Sequence, residues 1–217
     1  MTRHGAVVTA LIFLASESLG EIISPPLLSP TSEEGKESAW SYSLSVLTYL
    51  EQHAKDYANP NFTADHDWLH LEGRYNYEAL KTGSLWLGYN FSTGKKLVLE
   101  ATPMLGAVFG DITGIAPGYS ITLTYQQFEL TAQGEYVFDA GNRVNDFFYD
   151  WAELSCALTR WFRVGLVTER THPLGNDSDV RRGPLIGFKR DKVDFVTYWL
   201  SPGSNESAFV FAVTIDF

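Results

Sequence analysis

The sequence predicts an all-β fold: an antiparallel up-and-down barrel of twelve strands that crosses a membrane. Three observations carry this. A two-residue alternation of apolar and polar side chains recurs from Ala39 to the C-terminus. The centre of each apolar face is free of Asp, Glu, Lys and Arg. Short connections alternate with longer, polar ones. Successive strand residues point to opposite faces, so such a strand has one apolar and one polar side. A Lys or Arg on a lipid face at the bilayer midplane costs about 2–4 kcal/mol, which explains the sorting of charge.

Composition agrees. Hydrophobic residues make up 45% of 217 and aromatics 14%. The mean hydropathy is -0.10, as expected when inward and outward residues alternate. No apolar run reaches the roughly 18–20 residues that a membrane helix needs. The net charge of -10 argues against a nucleic-acid partner, whose phosphates require a basic surface. One cysteine, Cys156, excludes an internal disulfide and a four-cysteine zinc site.

Residues 1–20 read as a signal peptide, with a basic start at Arg3 and His4 and an apolar run from Gly5 to Ala15. Residues 21–38, rich in Pro, Ser and Glu, read as a periplasmic linker or tail. The barrel occupies 39–217.

Along the barrel, Trp40, Tyr42, Leu44 and Val46 oppose Ser41, Ser43 and Ser45. A weaker segment spans 56–64. Leu69, Leu71, Gly73, Tyr75 and Tyr77 oppose His70, Glu72 and Arg74. Leu85, Leu87, Tyr89 and Phe91 oppose Trp86 and Asn90. Leu97, Leu99, Ala101 and Pro103 oppose Glu100. Tyr119, Ile121, Leu123 and Tyr125 oppose Ser120, Thr122 and Thr124. Phe128, Leu130, Ala132, Tyr136 and Phe138 oppose Glu129 and Glu135. Leu154, Cys156 and Leu158 oppose Glu153. Phe162, Val164 and Leu166 oppose Arg163 and Glu169. Pro184, Ile186 and Phe188 are set against Arg182 and Lys189, and Val193, Phe195 and Trp199 against Asp194.

Short turns are expected at Asp65-His66, Thr93-Gly94, Gln126-Gln127, Thr159-Arg160 and Arg190-Asp191, and longer loops at 51–55, 78–82, 110–116, 139–146, 172–180 and 201–206. Counting the weak segment gives twelve strands. An even number puts both ends on the periplasmic side. Ten strands remain the alternative if the first two segments form a plug or arm.

The last strand alternates Phe209, Phe211, Val213, Ile215 and Phe217, ending on an aromatic. With this strand the chain resembles a bacterial outer-membrane β-barrel protein over about 39–217. The resemblance implies integral outer-membrane location. It also implies outer-membrane lipid and the barrel-assembly machinery as partners, with Phe209, Phe211, Val213, Ile215 and Phe217 as the assembly signal.

The lumen-lining candidates are His70, Glu72, Arg74, Glu100, Glu129, Glu135, Glu153, Arg163, Glu169, Arg182, Lys189 and Asp194. Carboxylates outnumber bases among them. A water-filled lumen of this kind favours cations, which predicts a porin-like pore for a small solute or cation. A dry lumen would instead be sealed by paired charges, giving a structural or adhesive barrel.

Other motifs carry less. Asp65, His66, Asp67 and His70 are set beside Arg74, which repels a cation, so no metal and no cofactor is expected. The Gly106, Gly110, Gly114 and Gly118 series reads as a loop able to fold into the lumen. A Gly-x-Ser-x-Gly elbow is absent, and His172 is the one candidate for a lipid-modifying enzyme, without a serine obviously beside it.

Overall fold

A computed structural model describes residues 39–141 and 145–217. The signal-peptide and linker assignments, 1–20 and 21–38, lie outside the described residues. Thirteen strand segments succeed one another in the chain: β1 (Ser41–Glu51), β2 (Tyr57–His66), β3 (Leu69–Tyr75), β4 (Thr82–Tyr89), β5 (Phe91–Gly94), β6 (Leu97–Gly110), β7 (Gly114–Tyr125), β8 (Phe128–Asp139), β9 (Phe147–Ala157), β10 (Phe162–Pro173), β11 (Asp179–Arg190), β12 (Val193–Leu200) and β13 (Ala208–Asp216). Every neighbouring pair is antiparallel, and β1 pairs with β13 across nine residue pairs, Ser43↔Asp216 to Glu51↔Ala208.

β4 and β5 are one strand interrupted at Asn90. Both pair with β6, and the register passes from Gly88↔Met104 to Phe91↔Ala101 without a slip. The Asn90 N–H still bonds the Trp68 carbonyl at 2.7 Å. Its side chain bonds inward to Asp65 and Thr102. The result is a closed twelve-strand barrel, with the weak sequence segment forming β2.

Turns at 67–68, 95–96, 126–127, 158–161 and 191–192 lie at the same end as Phe217. Three of the expected positions shift by one or two residues. Asp67, Gln126 and Asp191 take positive φ at these turns, a conformation that tight hairpins require. The loops 52–56, 76–81, 111–113, 174–178 and 201–207 occupy the other end, as do residues 140–141 and 145–146 between β8 and β9.

The glycine series corrects an expectation. Gly114 and Gly118 belong to β7 and only 111–113 form a loop. Gly106 and Gly118 point inward, where a Cβ would stand 2.7 Å and 2.9 Å from the Trp86 indole. They are small because Trp86 lies across them, and no glycine loop enters the lumen there.

The outer surface is apolar in a way no aqueous sheet tolerates over such an area. Leu85 and Leu166 are each 63% exposed, and Leu87, Leu105, Ile115 and Leu154 keep them company. Aromatic pairs Trp68–Tyr89 and Trp161–Phe188 lie near the short-turn end, and Trp199–Phe209 near the other. Such paired girdles mark the two interfaces of a membrane barrel. Phe209, Val213 and Phe217 are exposed on this face. The Phe217 N–H bonds the Tyr42 carbonyl at 2.8 Å, so the last residue closes the seam.

Candidate functional site in the lumen

The inward face begins with strand alternation. On β3, His70, Glu72 and Arg74 share one side because they are two residues apart. Arg74 Nε and Nη2 donate to the two oxygens of Glu72, each at 2.8 Å. Its Nη1 crosses the lumen to Glu135 on β8, also at 2.8 Å. The guanidinium is stacked between Tyr77 (4.5 Å to the ring centre) and Trp86 (4.4 Å). Arg74, Glu72 and Glu135 are all buried, at 7%, 7% and 2% exposure. Two carboxylates and two aromatic faces thus compensate one desolvated cation.

Around this centre, Trp86 Nε1 donates to Ser84 at 2.8 Å and Ser84 donates to Glu78. Gln133 donates to the Tyr77 hydroxyl. His70 Nδ1 is 2.7 Å from Asp65 and its Nε2 is 3.4 Å from Glu72.

A second cluster faces it. Arg181 on β11 donates to Glu51 at 2.8 Å and, through Nε, to Glu169 at 2.8 Å. The Tyr49 and Tyr149 hydroxyls donate to the other Glu169 oxygen at 3.4 and 3.3 Å. Tyr77 meets Tyr149 edge-on, ring centres 5.5 Å apart, and joins the two clusters into one belt across the barrel.

Nearer the short turns the inward charged residues are less buried. Trp151 and Tyr198 both donate to Glu153, at 2.7 and 2.8 Å. Arg163 makes a two-pronged pair with Asp194, at 2.8 and 2.6 Å. Glu100 and Glu129 are half-buried and face inward without a basic partner among the described residues. Lys189 faces inward opposite Asp194 in the β11–β12 register and is exposed.

The barrel shares its fold with solved porins. KdgM porin superposes with a TM-score of 0.56 at 10% sequence identity, covering 81% of this chain and 99% of its own. KdgM porin in complex with disordered oligogalacturonate gives 0.54 at 9% identity, covering 81% of this chain and 98% of its own. No family model and no curated protein matches the sequence.

Two sequence placements need correction. Arg182 is on the outer face, opposite Thr168 and in phase with Pro184, Ile186 and Phe188. Its neighbour Arg181 is the inward base. Counting back from Pro184 in twos gives this directly. Tyr77, expected outward after Tyr75, turns into the lumen because Asn76 adopts φ 58° and breaks the alternation. Asn76 holds the bend by accepting the Lys81 N–H and donating to the Ala58 carbonyl.

Glu51 and Asp65 also join the lumenal network, although sequence reasoning places them in a loop and a turn. Their parity with inward Tyr49 and Asn61 is the available signal. His172 does have a serine beside it: Nδ1 is 2.6 Å from Ser178 Oγ. Both are exposed, and Nε2 has no carboxylate to orient it among the described residues. The contact ties the base of the 174–178 loop.

Proposed function

We propose that this protein is a narrow outer-membrane channel for small cationic or uncharged solutes. One observation carries the reading. The inward arginines Arg74, Arg163 and Arg181 are each held by carboxylates, while three carboxylates, Glu100, Glu129 and Glu153, make no ion pair among the described residues against one such base, Lys189. The uncompensated field along the lumen is therefore negative, and rings of carboxylates favour cations. The belt through Arg74, Tyr77, Tyr149 and Arg181 forms the constriction, with the acidic vestibule on the short-turn side.

One solved porin of this fold was captured with oligogalacturonate, a chain of sugars bearing one carboxylate each. The negative lumen opposes such a polyanion, so the fold likeness does not extend to that cargo. Planar-bilayer recording across a potassium chloride gradient tests the proposal. We expect a small conductance with a cation-selective reversal potential, unaffected by oligogalacturonate. Anion selectivity, or silence from folded barrels, would overturn it.

Silence would favour a second reading, a sealed structural barrel. Tyr49, Trp86, Trp151 and Tyr198 are at most 5% exposed inside the lumen, which supports it.

A further inference from the structure

We infer that the outward face of β9–β11 docks a phosphorylated, multiply acylated glycolipid of the outer leaflet. The first observation is where the outward charges are. Among the described strand residues in phase with the apolar face, the ionised ones are Asp150, Arg170 and Arg182 on the three consecutive strands, with Arg190 at the opposite, short-turn end. The first three sit toward the long-loop end. Ser201, just past β12, donates its N–H to the Arg182 carbonyl at 2.8 Å, and outward Trp199 lies two residues nearer the midplane. That is interface depth, where an arginine's penalty fades.

The second observation is the geometry of the charges. Arg170 faces Asp150 on one side and Val180 on the other, and Arg182 faces Thr168. The two arginines are thus diagonal neighbours on one face, with Cβ atoms about 7–8 Å apart or less. Arg170 uses only Nε on Asp150, at 2.6 Å, and its guanidinium lies 5.4 Å from the Phe148 ring centre. Its terminal nitrogens, and the whole Arg182 guanidinium, have no hydrogen-bond partner among the described residues. Two bases against one acid leave a net positive fork. A guanidinium fork suits phosphate oxygens.

The third observation is a groove of about 460 Å³ on the same outer surface, lined by Leu154, Cys156, Val164, Leu166, Pro184 and Ile186. It starts two residues below Arg182 and runs toward the midplane. A headgroup site and an acyl site are therefore in line on the same strands. The charge suits a phosphate at the outer surface, and the groove suits a chain hanging from it.

Native mass spectrometry of the full-length folded barrel tests the inference, using lipid A, dephosphorylated lipid A and phosphatidylglycerol as probes. Lipid A should be retained about tenfold better than either of the others, the ratio expected from one charge-assisted contact. Arg182→Gln and, separately, Val164→Phe should each lower lipid A retention by about tenfold, with the gel mobility of the folded barrel preserved. Equal retention of dephosphorylated lipid A or of phosphatidylglycerol by the unaltered protein would overturn the inference, whether or not the variants fold. Indifference of lipid A retention to both substitutions would overturn it too.

Discussion

Arg74 shows how a barrel stores a charge where water is scarce. Its donors are met by Glu72 and Glu135, and its flat faces by Tyr77 and Trp86. Replacing it by Met leaves two buried carboxylates facing each other. Removal of one partner from a buried ionic cluster costs about 3–5 kcal/mol. We expect Arg74→Met to lower the unfolding free energy of the vesicle-inserted barrel, read from its urea transition, by a margin of that size. Arg163→Met should do much less, because both side chains of that pair are 21% exposed. Equal effects would show that burial does not govern these pairs. At this scale the sequence is only half legible. That Glu72 and Arg74 share a face follows from spacing alone. That Arg74 reaches Glu135, 61 residues away, or that Glu169 gathers Tyr49, 120 residues away, depends on barrel closure, which no local pattern encodes.

Among the elements, the C-terminal strand has the clearest task. β13 is hydrogen-bonded to β12 and to β1, and Phe217 contributes the last backbone bond of the seam. Its five outward residues are readable from alternation because nothing interrupts it. On β3 the alternation holds as far as Tyr75 and fails beyond, since one positive φ at Asn76 inverts the phase of the residues after it. The Arg181–Arg182 error has a different origin: two adjacent bases occupy both phases, and only strict counting separates them. Deletion of Phe217 removes one backbone bond and one exposed aromatic but touches no lumenal contact. We expect fewer folded barrels in the membrane fraction and an unchanged single-channel conductance among those that form. Wild-type abundance would argue against an assembly role for this residue.

For the molecule as a whole, closure is the source of stability. A barrel has no free sheet edge, and each backbone donor inside the membrane finds a partner on the next strand. Folded protein should therefore resist detergent and migrate differently on a denaturing gel before and after boiling. A single band position under both conditions would contradict a closed membrane barrel. This level is the most legible from sequence, because a lipid face forbids charge along every strand at once and that prohibition repeats from strand to strand around the wall.

The wall of the barrel is uneven in height. β6 has fourteen residues and β7 and β8 twelve each, whereas β12, β13 and β3 have eight, nine and seven. At about 3.3 Å per residue, the tall side exceeds the short side by roughly 15–20 Å of strand. The bilayer must meet both. It can do so by leaning the barrel or by pinching where the wall is low. The low sector includes the β12–β13 hairpin, next to the β1–β13 join, with β3 a second low strand beyond β2, so a bilayer that pinches would do so beside the place where the first and last strands are zipped together as well as at β3.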